Sequence, residues 1–374
     1  MNGETVFKYI VSGDMDNGLG NALRAGLSTL SKGYAWAVNR RNAKYDAGQG
    51  VYQSSLPVIS VGNITAGGTG KTPMVSYICQ ALAKKDYKAT VLSRGYRAKD
   101  NSGSLLISDQ GHILVEPEVS GDEAWLLAKA LPQASVVIGR SRTASAQLVE
   151  ARGGCDALVL DDGFQHRALA RDLNIVLIDA TNPFGYGHVL PRGLLREPLS
   201  GLKRADMIIL TKVDQAKPGA LSLIREQLEQ LVPGKPIGET THRPVACYSL
   251  EDWLQGQHPQ MPDVAVHKPV LAVTGIGNPQ SFALTLKSLG YDVLDTMGFG
   301  DHHEYTEDDL VEIWKQAFAK GAQAIFITEK DAVKIGQLVS AENLQLPIYV
   351  LAIGIDFISG QEDLQKLIYK TVEK

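Results

Sequence analysis

Gly62-Asn63-Ile64-Thr65-Ala66-Gly67-Gly68-Thr69-Gly70-Lys71-Thr72-Pro73 follows an apolar run ending at Ser60–Val61 and precedes a stretch with helical spacing. A strand that enters a glycine-rich turn and leaves as a helix beginning at lysine and threonine is a phosphate-binding arrangement. The glycines let backbone N–H groups curl around phosphate oxygens, and the helix N-terminus adds the positive end of its dipole. Lys71 can neutralise the terminal phosphate oxygens, and the Thr72 hydroxyl can ligate magnesium. Thr65, Ala66, Gly67, Gly68, Thr69, Gly70, Lys71 and Thr72 are therefore expected to line a nucleotide. The stretch departs from Walker A spacing in one place, because the first glycine would fall at Thr65. Gly67 and Gly68 are expected to supply the flexibility instead.

A second element supports the first. About 90 residues downstream, Ala157-Leu158-Val159-Leu160-Asp161-Asp162 is an apolar strand delivering carboxylates at its C-terminal end, where P-loop enzymes hold magnesium or its water shell. Asp161 is the better candidate by position, and Asp162 is adjacent and can share the role. Around this pair, β-rich runs alternate with helix-length segments: Pro57–Val61, Ala89–Leu92, Ser135–Ile138, Asn174–Ile178 and Met207–Leu210, then Val270–Thr274, Val293–Leu294, Ala324–Ile327 and Ile348–Leu351. Continuous apolar runs suit strands covered on both faces. The expected fold is α/β: a P-loop NTPase-like, mostly parallel sheet flanked by helices, with a second, smaller α/β domain and an N-terminal amphipathic helix. The expected divisions are 1–48 for the N-terminal segment, 49–232 for the nucleotide core and 233–374 for a linker and C-terminal domain, because the polar stretch Pro233–Pro244 interrupts the alternation.

Composition narrows the partners. In 374 residues, 37 Lys plus Arg stand against 41 Asp plus Glu, a net charge of -4, so no global basic field exists to hold nucleic acid by its phosphates. Cys79, Cys155 and Cys247 are scattered, which argues against a disulfide framework or a zinc cluster and fits a reducing compartment. No run of 18 apolar residues occurs, and Glu4, Lys8, Asp14 and Asp16 interrupt the start, so neither a spanning helix nor a secretory signal is expected. Asn17–Tyr45 carries Arg24, Lys32, Arg40, Arg41 and Lys44 without an acidic residue, while Leu23, Leu27, Leu30, Tyr34 and Val38 recur at helical spacing beside Trp36. This basic amphipathic helix either enters the headgroup boundary of an anionic membrane or packs on the core with a solvated basic face.

Other loops point to an anionic acceptor. Arg94 and Arg97, Arg140 and Arg142, and Arg192 and Arg196 lie just after predicted strands or in loops leaving the same sheet edge, which in open α/β sheets is the ligand crevice. Gly121-Asp122-Glu123-Ala124 opens a helix, where an acidic residue is also ordinary capping. Thr211-Lys212-Val213-Asp214 is similar to the Asn-Lys-x-Asp base-reading motif of GTPases and keeps a GTP-dependent delivery protein as a competing reading. Such proteins need clustered soft ligands for a metal cargo, which three isolated cysteines do not supply. His166, His188, Tyr186, Tyr305 and Phe299 read as packing residues.

Together these residues resemble the tetraacyldisaccharide 4′-kinases, which phosphorylate the lipid A precursor, over nearly the whole chain. The resemblance runs through Val61-Gly62-Asn63-Ile64-Thr65 and the glycine loop, Leu92-Ser93-Arg94-Gly95-Tyr96, Gly121-Asp122-Glu123 and Leu160-Asp161-Asp162-Gly163-Phe164-Gln165-His166. It continues through Pro191-Arg192-Gly193-Leu194-Leu195-Arg196-Glu197-Pro198-Leu199, Lys203-Arg204-Ala205-Asp206, Asp301-His302-His303 and Thr328-Glu329-Lys330-Asp331-Ala332. Thr65 in place of glycine is what that family looks like, and Thr-Lys-x-Asp falls inside its pattern too, which weakens the GTPase reading. The resemblance implies transfer of the γ-phosphoryl group of ATP, with magnesium, to the 4′-hydroxyl of an acylated glucosamine disaccharide 1-phosphate at the cytosolic face of a Gram-negative inner membrane. It tips the N-terminal helix towards the bilayer. By resemblance, Asp122 is the acceptor-activating base, oriented or tuned by His302, with the adjacent His303 the alternative that faces the site. Lys71 is the catalytic cation, Asp161, Asp162 and Gln165 serve magnesium and nucleotide, and Arg94, Arg142, Arg196 and Glu197 lie in the phosphate region.

Overall fold

The structure, a computed structural model, describes residues 3–95, 98, 103–256, 268–276, 279–300, 303–340 and 343–373. Helices α1 (Gly3–Ser12) and α2 (Gly18–Asp46) precede the sheet, and α2 starts where the Asn17 side chain accepts the Gly20 N–H. The nucleotide half then runs β1 (Val58–Asn63), α3 (Lys71–Ala83), β2 (Ala89–Ser93), β3 (Leu105–Asp109), β4 (His112–Ile113), α4 (Pro117–Ser120), α5 (Asp122–Ala130), β5 (Ala134–Ile138), α6 (Arg142–Arg152), β6 (Ala157–Leu160), β7 (Leu173–Asp179), β8 (Met207–Thr211) and α7 (Ala220–Leu231). The remainder is β9 (Ile237–Ser249), α8 (Leu250–Leu254), β10 (Pro269–Thr274), α9 (Pro279–Ser288), β11 (Asp292–Gly298), α10 (Glu307–Lys320), β12 (Ala324–Thr328), α11 (Glu329–Ile335), β13 (Ile348–Ser359) and α12 (Gln361–Val372).

Among the described residues the strands form one 13-stranded sheet in the order β11-β10-β12-β13-β9-β8-β7-β1-β6-β2-β5-β3-β4. Strands β9 to β5 in that order are parallel, and so are β13 to β11; antiparallel pairing occurs where β13 meets β9 and at the β3–β4 edge. Strands β1, β2, β5, β6 and β8 are buried along their whole length, as their mostly apolar sequences suit, with Ser60, Asn63, Thr90, Ser93, Ser135 and Thr211 the polar residues buried among them. Alternation sends Ile59 and Val61 of β1 towards α3, α5 and α12, and Val58 towards α6.

Two expectations are corrected. Pro233–Pro244 is no linker: from Ile237 it is β9, whose first residues pair with β8 and whose length pairs with β13. Polar Glu239 and Thr240 are buried in it, so its composition hid the strand. The proline at 244, which has no N–H to give the ladder, sits beside a register shift at Ala352/Ile353. The division at 233 also does not hold in space for the last helix. Leu364 and Ile368 of α12 enter the core under β1 and α3, and Gln365 donates to the Tyr77 hydroxyl at 3.0 Å.

Strands β1 and β6 are neighbours, so the glycine loop after β1 and the acidic pair after β6 leave the same edge side by side. Gly163 N–H donates to Val61 O at 2.9 Å, and a Cβ on Gly62 would stand 2.6 Å from both Phe164 N and Cβ. Only glycine permits that approach. Gly62→Ala is expected to destabilise the fold by about 1–3 kcal/mol in urea unfolding, because backbone must move. Gly68→Ala, where a Cβ meets nothing within 4 Å and φ is not positive, is expected to change stability by less than about 1 kcal/mol.

Candidate active site

The glycine loop is held open from its flanks. Gly70 (φ 81°, ψ 29°) is the N-cap of α3 and no side chain caps the helix, so its first N–H groups face the loop's hollow. Positive φ falls at Gly67 and Gly70 and not at Gly68, which refines the expectation that Gly67 and Gly68 supply the bend. Asn63 Nδ2 donates to Thr65 O at 2.8 Å and Thr69 Oγ1 at 2.9 Å. The Ala66 N–H is spent on Leu194 O. From the other side, Thr211 Oγ1 donates to Thr69 O at 3.1 Å and Lys212 Nζ to Gly68 O at 2.8 Å. Thr211 and Lys212 of the GTPase-like motif thus brace the phosphate loop, while Asp214 is solvent-exposed.

The two carboxylates after β6 have different surroundings. Asp161 is partly buried with its Oδ1 enclosed, and desolvation raises its pKa against the pull of Lys71; Ser93 Oγ donates to its Oδ2 at 3.2 Å, and its Oδ1 has no partner among the described residues. Asp162, in the left-handed region at φ 51°, accepts two hydrogen bonds from Arg196 Nη1, both 2.8 Å, and lies 3.7 Å from Lys71 Nζ. Burial opposes ionisation there, but Lys71 and Arg196 hold its carboxyl below the ordinary carboxylate value.

Arginines gather round this pair. Arg142, almost fully buried, donates to Gly139 O at 2.7 Å and Asp161 O at 3.2 Å, and burial pulls its pKa down to about 10. Arg94 is close enough to Arg142 and His166 for their charges to interact. Gln165 Nε2 donates to Asn63 O and to Glu197 Oε1, both 2.8 Å. Glu197, 1% exposed, is neutralised by Arg204 at 2.6 Å. Gln165 and Glu197 therefore form a buried support joining the loops after β1 and β6 to Arg196. Arg97 lies outside the described residues.

Asp122 is the first residue of α5, and the N-cap is Gly121 without a side-chain cap, so Asp122 does not serve as the cap. Its Oδ2 lies 3.4 Å from Lys334 Nζ of α11, and Lys334 also donates to His303 O at 2.7 Å. Glu123 pairs with Lys330 at 2.8 Å and is near enough to Asp161 to oppose its ionisation. Lys334 was not apparent from sequence, although Lys330 and Lys334 stand one helical turn apart on α11 and so share a face. His302 lies outside the described residues. His303 turns inward: its ring bonds Asp309 at 3.0 Å, stacks on Phe299 and meets the edge of Tyr305. Tyr305 and Phe299 are packing residues, as read. Burial, then Arg142 and Arg94, push the pKa of His166 down to about 4.

Comparison with known proteins adds a family to this geometry. The family model described as tetraacyldisaccharide-1-P 4′-kinase matches residues 23–373. A tetraacyldisaccharide 4′-kinase of Anaeromyxobacter sp. (strain Fw109-5) is 40% identical over 87% of this chain and 85% of its own length, and that of Syntrophus aciditrophicus (strain SB) is 37% identical over 93% and 92%. Among solved structures, LpxK from Aquifex aeolicus in complex with ATP is similar, with a TM-score of 0.72 and 31% identity over 94% of this chain and 99% of that one. Since both the sequence match and the fold extend across phosphate loop, acidic pair and C-terminal half alike, the chain belongs to the tetraacyldisaccharide-1-P 4′-kinase family.

Proposed function

We propose that the chain transfers the γ-phosphoryl group of ATP to the 4′-hydroxyl of a tetraacylated glucosamine disaccharide 1-phosphate, in the biosynthesis of lipid A. The observation that carries this is the uncapped start of α3 with Lys71 facing the carboxylates of Asp161 and Asp162, in a chain of this family. Phosphoryl transfer needs positioning and charge stabilisation more than covalent chemistry, and those are what this site offers. The open N–H groups of α3 and Lys71 bind and orient the phosphates. Arg196 and Arg142, with Arg94 nearby, supply positive charge where negative charge spreads in the transition state. Gln165 and Glu197 act through Arg196 and the loop backbone as positioning residues.

The residues fit a magnesium ion. Asp161 presents a buried oxygen without a partner, and Thr72 is the second residue of α3. Asp161 and Thr72 would hold the ion, and Asp162 can join them on release from Arg196. Bound there, magnesium supplies charge neutralisation at the phosphate oxygens. No group of three or more metal-ligating side chains occurs among the described residues, so phosphate and water would complete the shell.

Asp122 is the acceptor-side base in this reading. Free of the capping role and 3.4 Å from Lys334, its carboxylate can take the proton of a hydroxyl as it attacks. His302 would orient it. Asp122→Asn is expected to lower kcat about 10² to 10⁴-fold while leaving the Kd for ATP within about twofold, checked by turnover on the disaccharide 1-phosphate and calorimetry. A near-normal kcat would remove Asp122 from the chemistry.

The N-terminal helices suit the cytoplasmic face of an inner membrane. A narrow face of α2 packs on the loop before Arg196, with Ser31 donating to Val189 O and Tyr34 to Arg196 O, both 2.9 Å. Beside that face, Leu19, Leu23 and Leu30 share an exposed stripe, and Trp36 is exposed under Arg40. No helix among the described residues is long and apolar enough to cross a membrane. Leu23→Asp with Leu30→Asp is expected to weaken partition onto anionic vesicles at least about tenfold without changing turnover on a short-chain, water-soluble acceptor, since each buried leucine contributes about 1.5–3 kcal/mol. Unchanged vesicle sedimentation would leave α2 a packing helix only.

A further inference from the structure

His242 lies on β9 opposite Ile355 of β13, and the mechanism above makes no use of it. Its Nε2 is buried and has no hydrogen-bond partner among the described residues. The ring edge points at the phosphate loop: a Cβ on Gly70 would stand 2.8 Å from Nε2. A buried ring nitrogen without a partner is costly, and native structures ordinarily satisfy such an atom with a group that binds there.

The position says which part of the nucleotide that group is. Strand β1 has β6 on one side and β7, β8 and β9 in succession on the other. Lys71 and Asp162 mark the β6 side as the end where phosphoryl transfer occurs. A triphosphate threaded along the loop from that end must carry its sugar and base out on the opposite side, over β8 and β9. There Thr211 and Lys212 fix Thr69 and Gly68, with Lys212 held in a left-handed conformation at φ 56° and also bonded to Asp179. His242 closes the same wall one strand further on.

We propose that His242 binds the nucleoside part of the nucleotide, its Nε2 finding its hydrogen-bond partner on the sugar or base, so that β9 and the loop after β8 form the nucleoside side of the site. This rests on the reading of the glycine loop as a nucleoside triphosphate site and adds the residue that distinguishes nucleotide from bare polyphosphate. Charge agrees with the assignment. Burial, then the nearby Lys212, lowers the pKa of His242 to about 4 against the opposing pull of Asp179, so the imidazole is neutral at pH 7 and suits an uncharged partner better than a phosphate.

Calorimetric titration of the full chain with ATP, ADP and inorganic tripolyphosphate, each with magnesium, tests this in His242→Phe, His242→Ala and His242→Gln. Phe and Ala are expected to raise the Kd for ATP and ADP about tenfold and leave tripolyphosphate within about twofold, with KM for ATP rising and kcat little changed. Gln, whose amide reaches the Nε2 position, is expected to restore nucleotide binding to within about threefold. ATP binding within about twofold of the unaltered chain in both Phe and Ala variants overturns the assignment. Equal weakening of tripolyphosphate overturns it too, because His242 would then only pack on the loop. Melting temperatures show whether the Phe ring is accommodated; where it is not, Ala and Gln carry the comparison. Absence of ATP binding by the unaltered chain would instead sink the nucleotide reading itself.

Discussion

Two backbones pass in contact where β1 ends and the loop after β6 begins, and the site is built around that contact. The loops can approach because position 62 has no side chain, and Arg171 secures the approach by donating to Gly163 O and Phe164 O at 2.8 and 2.7 Å. A wider separation would take the acidic pair out of reach of Lys71. The cations would then face a hollow with no opposing charge, and the close spacing of Lys71 and Asp162 would be lost. The same contact sets the entry of Gln165, whose amide ties the loops together through Asn63 and Glu197.

Adjacent carboxylates seldom behave alike when one is buried and the other is bonded to cations, and Asp161 and Asp162 show this. Desolvation acts on both, but Asp162 receives Arg196 Nη1 on both of its oxygens while Asp161 keeps a bare oxygen. One carboxylate is thereby bonded to the protein's own cations, and the other keeps an oxygen that no described side chain satisfies. The glutamate at 197 plays a third part: fully enclosed, it is neutralised by Arg204 and serves as an anchor rather than a ligand.

Much of this was legible in the chain because it depends on short-range chemistry. Short, mostly apolar runs gave β1, β2, β5, β6 and β8 to within a residue or two, and Gly70-Lys71-Thr72 fixed the start of α3. Strand β9 was not legible, since its register carries Glu239, Thr240 and a proline where pattern reading expects alternation, and the burial that makes it a strand comes from β8 and β13. Lys334 was hidden for a similar reason. A lysine on a short helix acquires meaning only when tertiary packing brings it to Asp122, more than 200 positions earlier in the chain. The N-terminal helix admitted two readings because its sequence does not say which face is covered: one narrow face is bonded to the site loop, and the leucine stripe beside it is exposed.

The return of α12 to the first half has a consequence for synthesis. Gln365 and Tyr77 are 288 positions apart, and Leu364 and Ile368 complete a core that otherwise consists of β1, α3 and their neighbours. While the ribosome is still making the C-terminal half, the part of α3 that α12 covers has no partner helix, although the sheet and α5 already cover its other buried residues. The nucleotide half can assemble its strands early but cannot seal that side until Val372 has cleared the exit tunnel. That part of the core is therefore among the last of the nucleotide half to close.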